Sequence, residues 1–455
     1  MESFSTAESQ TASTLLDDGR LTKTVPNVLD NLSRDTIVQV AGSIVCSVAM
    51  LAMNYSVVRL IGRDNYGGLG VLQSFAQWCA TMFAFGGAMT VTILSGENRH
   101  RSKSGVLGVA AMYIATVLAL TTCAVAIERQ FGLMKISDQL VWTAALGVIC
   151  YAGLLVFFES FNGLLRGADQ FDRSNLLGIG QALTLTLGSI AGAWMFSGSQ
   201  GAFWGGNILA IGFVFVVASW AVKTWGLSWE GIARATKVGF GPGLRTYVVA
   251  STEIVAETFG VIYLARIDDL AGAAAIIGCQ RLCTIVSKPA AMVSQVIAGK
   301  TAGQKCGPAE AITTLRIART TFLIALAICA PLLLMVGPFT QLSLGEEFRD
   351  AAPIMVCFLI GAVCRGHASA AVGIILGQGC PLSYLVLKIV VMVVTIAGTL
   401  LLSGPWHWGA FGVAVMYLTN SVLLMAGIGW MVARQAWSRP AVDTEQTAEV
   451  MSQAA

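Results

Sequence analysis

Long apolar runs separated by short polar breaks dominate this chain. A bilayer core is spanned by roughly 20 apolar residues of helix, rising about 1.5 Å per residue. Runs of that length fall near 36–60, 69–95, 104–127, 138–158, 174–196 and 201–222. Six more follow near 237–264, 272–298, 315–336, 351–376, 382–402 and 409–432. The pattern predicts an all-α integral membrane protein of about twelve transmembrane helices. Breaks such as 197–200 and 403–408 are so short that their flanking helices must be antiparallel neighbours. No polar connection is long enough to hold a soluble domain.

Composition agrees with the pattern. Hydrophobic residues are 55% and charged residues 12% of the 455, about half the charge of a soluble domain. A net charge of +3, without basic runs interleaved with aromatics, argues against nucleic acid as a partner. The eleven cysteines are scattered through apolar stretches with no CxxC pair, and there are three histidines, so no metal site is expected. Gly299-Lys300-Thr301 ends like a phosphate-binding loop, but Ser294 stands where the earlier glycine belongs.

Lys and Arg residues set the orientation. Eighteen fall on the face shared by both termini, and six (Arg59, Arg63, Arg129, Lys135, Arg266 and Arg349) on the other. That excess predicts cytoplasmic N- and C-termini. Residues 1–35 and 435–455 are polar and read as disordered cytoplasmic tails; the first has no apolar core of a cleavable signal.

The two halves echo each other. Leu60, Asp64, Gly68 and Gln77 precede Leu264, Asp268, Gly272 and Arg281 by 204 residues. Gly163 and Gly167 precede Gly373 and Gly377 by 210, and Gly201-Ala202-Phe203 precedes Gly409-Ala410-Phe411 by 208. The repeat predicts an N-terminal six-helix lobe over 36–222, a cytoplasmic linker over 223–236 and a C-terminal six-helix lobe over 237–434. An even number of spans per repeat puts the pseudo-two-fold axis along the membrane normal. Transporters of this design bind substrate between lobes and alternate access by rocking them.

Three stretches carry a resemblance to a known family. They are Arg59-Leu-Ile-Gly-Arg-Asp-Asn-Tyr-Gly-Gly-Leu-Gly70, the segment Ala271–Gly303 with its Lys288-Pro289, and Leu344-Gly-Glu-Glu-Phe-Arg-Asp-Ala-Ala-Pro353. Over most of its length the chain resembles the polysaccharide-transport branch of the multidrug/oligosaccharidyl-lipid/polysaccharide (MOP) flippase superfamily, which includes O-antigen and exopolysaccharide repeat-unit flippases. The resemblance implies a transporter rather than an enzyme. Its cargo would be an undecaprenyl-diphosphate-linked oligosaccharide moved from the inner to the outer leaflet of the bacterial cytoplasmic membrane. It also implies a monomer working beside a polysaccharide polymerase and glycosyltransferases.

Ionisable residues inside spans are costly and mark pathways or sites. Glu253 and Glu257 share a face of the seventh span, and Arg281 and Lys288 share a face of the eighth. Arg365 and His367 lie in the tenth and Lys388 in the eleventh. The set is all in the second lobe and mostly cationic. A diphosphate carries about two negative charges that low dielectric penalises, and cations facing a cleft would offset that cost. Arg281, Lys288, Arg365 and Lys388 are therefore the headgroup candidates. Glu253, Glu257 and His367 are candidates for H⁺ or Na⁺ coupling, or for a purely structural role; no cofactor is expected. An ion-coupled multidrug antiporter of the same superfamily is the alternative. Its expected Asp and Pro are missing from the first span, although Glu253 and Glu257 would suit one.

Overall fold

A backbone surrounded by hydrocarbon has no water to bond, so each apolar run must satisfy its own N–H and C=O groups as a helix. The computed structural model describes residues 25–97, 103–132, 141–168, 170–230, 232, 235–236, 243–301, 308–377 and 381–437. Among them every regular element is helical. The N-terminal half contains α1 (Val25–Ile61), α2 (Arg63–Phe83), α3 (Gly87–Glu97), α4 (Ser104–Phe131), α5 (Trp142–Gly167), α6 (Phe171–Phe196) and α7 (Ser199–Trp225). The C-terminal half contains α8 (Leu244–Arg266), α9 (Leu270–Thr301), α10 (Pro308–Leu334) and α11 (Val336–Leu344). A 3-10 turn (Glu346–Ala351) then leads to α12 (Ala352–Gly377), α13 (Leu382–Ser403) and α14 (Gly409–Trp437). Eleven helices are long and apolar enough to cross a membrane, and the pair α2 and α3, bent by 52°, supplies a twelfth as one broken span.

The bend corrects the expectation of one unbroken span over 69–95. Phe85 (φ 46°) and Gly86 (φ 74°) both take left-handed backbone, which ends α2 and restarts the chain as α3. Glycine accepts that conformation freely; Phe85 is kept there against Tyr247 of α8, ring centroids 5.6 Å apart. Helix α1 begins at Val25 rather than at residue 36, so the backbone of 25–35 is helical. The expected disorder of 1–24 and 438–455 falls outside the described residues. Pro353 sits in the first turn of α12, where its missing N–H breaks no bond, whereas Pro289 and Pro331 lie inside α9 and α10. Gly299-Lys300-Thr301 closes α9 and follows no strand.

Within the first lobe α1 packs on α6, α6 on α7, and α3 and α4 on α5. Gly163 and Gly167 let α5 press on α3: a Cβ at Gly167 would stand 2.3 Å from the Thr92 carbonyl oxygen. In the second lobe α12 is central, touching α9, α10 and α14, while α8 packs on α13. The lobes meet chiefly through α1 and α2 against α8 and α9. Tyr66, Leu69, Leu72 and Phe75 are buried there with Val261, Leu264, Ile276 and Phe348 in one shared core. The approach is close enough that a Cβ on Gly67 would lie 2.1 Å from the carbonyl oxygen of Leu270. Large apolar side chains on the outer faces, such as Phe215, Leu334 and Val393, are exposed, as a lipid-facing surface permits.

Candidate functional site

Arg281 projects from α9 into the junction with α1 and α2. One guanidinium nitrogen donates to Asn54 Oδ1 and to the Tyr66 hydroxyl, each at 3.1 Å, and the other donates to Gln73 Oε1. The Tyr66 hydroxyl in turn donates to Asn54 Oδ1 at 2.9 Å. Two donors converging on Asn54 fix its amide, because a flipped amide would present its own N–H groups to them. Its Nδ2 is then left buried without a partner. Every described partner of Arg281 is neutral, so its positive charge is hydrogen-bonded but not cancelled. Lys288 lies seven residues further along α9, and its side chain falls outside the described residues.

The other two headgroup candidates are placed differently. Arg365 of α12 is ion-paired with Glu257 of α8, donates from Nε to Ser421 Oγ at 3.2 Å, and stacks 4.4 Å from the centre of the Tyr417 ring. Lys388 Nζ of α13 donates to Glu253 Oε2 at 3.0 Å. Arg365, Lys388 and Glu253 line a cavity of about 10 Å³, room for a single water, together with Asn420 and Thr252. In this state, then, Arg365 and Lys388 are each engaged by a carboxylate, and the cluster sums to zero charge. The physical reason is cost: four charges in one lobe of a membrane protein are far cheaper in pairs than facing a cleft singly. Exposure is uneven, with the Glu253 side chain 48% exposed and Lys388 only 7%. The carboxylate is therefore the more accessible member of the pair.

His367 sits apart from both clusters. Its Nδ1 lies 3.1 Å from the Ala318 carbonyl oxygen, which can only accept, so Nδ1 carries the proton. The ring meets Phe322 edge-on. Among the described residues no group of three or more His, Cys, Asp or Glu side chains could hold a metal ion.

Charge inside the spans is not confined to the second lobe. Helix α5 runs on to Gly167, past the end at 158 expected from hydropathy, and so takes in Glu159 and Arg166. Arg166 Nε donates to Ser174 Oγ, which donates to Asn162 Oδ1. A second inter-lobe contact also escaped the sequence reading. Arg63, at the start of α2, grips Asp350 through both guanidinium nitrogens at 2.8 and 2.9 Å, donates to the Ala271 carbonyl at 3.2 Å, and covers the Phe348 ring. The repeat signals one part of this, since Arg63 and Ala271 stand 208 residues apart, as do Gln73 and Arg281.

Two bundles of membrane-length helices meeting at a polar junction define the class, a two-lobed all-helical membrane fold. No family model matches the sequence, and no curated protein matches it. Among solved structures, the chain is similar to an outward-facing multidrug resistance MATE family transporter of the MOP superfamily (14% identity, 90% of this chain and 96% of that one, TM-score 0.63). It is also similar to a Vibrio cholerae MATE transporter (13%, 90% and 97%, 0.61). A third is a MOP superfamily transporter from Pyrococcus furiosus, described as having a binding pocket of reverse polarity that suggests a different function (16%, 89% and 95%, 0.61). The fold of this chain is that of MATE transporters.

Proposed function

We propose that this chain is a multi-pass transporter, not an enzyme, that moves an anionic lipid-linked cargo between its lobes. The branch resemblance points to an undecaprenyl-diphosphate-linked oligosaccharide, flipped from the inner to the outer leaflet of the bacterial cytoplasmic membrane by alternating access. One observation carries the reading: Arg281 holds an uncancelled positive charge between the lobes with only neutral described partners. A lone charge at that depth costs several kcal/mol. A passing diphosphate offsets that cost, and a guanidinium can bond its oxygens bidentately. Lys288, on the same face of α9, is the second headgroup contact.

Arg365 and Lys388 serve this cargo only when their carboxylates let go. Protonation of Glu257 or Glu253 would release the paired cation, making H⁺ uptake and anion binding mutually favourable. The test is transport of a labelled diphosphate-linked sugar lipid in proteoliposomes, with and without a pH gradient. Wild type should move it, Arg281→Lys should keep part of the rate, and Arg281→Gln should lose tenfold or more. No transport by wild type, or full transport by Arg281→Gln, would overturn the reading.

A specific observation favours a second reading, the multidrug antiporter. Glu253 is half-exposed while its cation is buried, so the more accessible charge of that pair is negative and suits a cationic drug. The MATE neighbours fit it at least as well as the first. Uptake of a cationic dye against H⁺ or Na⁺, lost in Glu253→Gln and kept in Arg281→Gln, would select it.

A further inference from the structure

At one end of the first lobe, where α4 and α6 begin and α7 ends, two cations lie over two tryptophans. Lys103 Nζ stands 5.1 Å from the centre of the Trp225 ring, and Arg173 Cζ stands 5.7 Å from that of Trp220. The two indoles meet edge-to-face at 5.1 Å, and Trp225 stacks on Phe161. The rings thus hold Lys103 and Arg173 near each other. They repel: burial first, and then the charge of Arg173, lower the Lys103 pKa from its ordinary value. No ion pair joins either cation to a carboxylate among the described residues. Lys223, exposed on α7, adds a third positive charge at the same end.

What lies beneath the cations identifies the occupant. One turn along α6 from Arg173, Leu176 is 69% exposed, and one turn back along α7 from Trp220, Val216 is 65% exposed. The cations therefore cap an apolar strip of the lipid-facing surface. A soluble anion would use the charges and leave the strip bare; an anionic phospholipid fills both. Among the described residues the other Trp-cation contacts are single: Arg434 over Trp430 and Arg129 over Trp142 are ordinary interfacial anchors with one cation each.

We propose that Lys103 and Arg173 clasp the phosphate of one anionic phospholipid, whose acyl chain lies along the Leu176 and Val216 surface. By the charge asymmetry of the loops, this lipid belongs to the cytoplasmic leaflet. The site is independent of the cargo reading.

The experiment is native mass spectrometry of the full chain from micelles containing equal dioleoyl-phosphatidylglycerol and dioleoyl-phosphatidylcholine. Wild type should retain one phosphatidylglycerol after phosphatidylcholine has been stripped. In Lys103→Gln/Arg173→Gln the preference should fall about thirty-fold, since two interfacial charges are lost. The swap Lys103→Arg/Arg173→Lys should keep it, and thermal unfolding in phosphatidylcholine alone reports whether the Gln variant is folded. If that variant is unfolded, Lys103→Gln alone, with a loss of about fivefold, takes its place. An unchanged preference in a folded Gln variant, equal retention of both lipids by wild type, or displacement of phosphatidylglycerol by millimolar inorganic phosphate would each overturn the proposal.

Discussion

Gln73 and Arg281 hydrogen-bond each other across the lobe boundary, and they stand 208 residues apart in the chain. That is the same separation that relates Gly201-Ala202-Phe203 to Gly409-Ala410-Phe411. In a two-fold arrangement, a residue touches its own counterpart only on the axis. Contact at the repeat separation therefore puts Arg281 at the centre of the pseudo-symmetric junction, where the polar partner on the other lobe is an uncharged amide. Gln73→Glu would supply the missing carboxylate. The expected outcome is a more stable protein, by about 1 kcal/mol from a charge-assisted bond, with weaker transport of an anionic cargo. Thermal unfolding and proteoliposome transport measured on the same preparation should move in opposite directions.

The two ion pairs of the second lobe should respond unequally to loss of one partner. Glu253→Gln strands Lys388, which is almost fully buried, whereas Lys388→Met leaves Glu253 with half its side chain open. A stranded buried charge costs about 3 kcal/mol, and a half-open one far less once screening is allowed for. Glu253→Gln should therefore lower the unfolding temperature more than Lys388→Met does. For Glu257 and Arg365, both mostly buried, either single removal should be harmful, and the double variant Glu257→Gln/Arg365→Met should recover most of the loss. A double-mutant cycle on unfolding temperature reads both statements.

Much of this was legible in the chain, and the boundary has a physical cause. Apolar length and the repeat gave the helix count and the two lobes, because hydrocarbon leaves a backbone no alternative to helix. Helical spacing put Glu253 and Glu257 on one face of α8, and both carboxylates do meet cations of the same cluster; the matching expectation for Lys288 beside Arg281 falls on a side chain outside the described residues. Hydropathy could not show that α5 runs on through Glu159 to Gly167, because charged and polar side chains lower the local average without ending the helix. Nor could it pair Lys388 with Glu253 or Arg365 with Glu257: those contacts depend on how α8, α12 and α13 are assembled in space, which no local pattern encodes. The alignment of Gln77 with Arg281 missed by one helical turn. The structure brings Gln73 to Arg281 instead, and an offset of 208 in place of 204 would have shown it.

Arg63 and Asp350 fasten the lobes at the end where α1 turns into α2. The bond is bidentate but Asp350 is 67% exposed, so it is worth at most about 1 kcal/mol, or roughly fivefold in a population. Asp350→Asn should shift the lobes toward opening at this end by that factor. Hydrogen exchange of segments 61–66 and 346–351 should quicken while exchange in α12 and α14 stays unchanged. Uniform quickening would mean global loss of stability instead.

The closing of that end also depends on how near α2 can come to α9. Gly67 has no side chain, and a Cβ there would stand 2.1 Å from the carbonyl oxygen of Leu270, a backbone atom that cannot swing aside. Gly67→Val therefore forbids the packing seen here without touching either charge cluster. The contact of Phe85 with Tyr247 lies at the opposite end of α2 and survives the change. The expected outcome is a folded protein held open at the Arg63 end. It should bind cargo with nearly wild-type affinity from that side and transport more than tenfold more slowly, because each cycle must pass through the closed packing. Gly67→Ala should fall between the two. Equal transport by Gly67→Val and wild type would show that the approach of α2 to α9 is no part of the cycle.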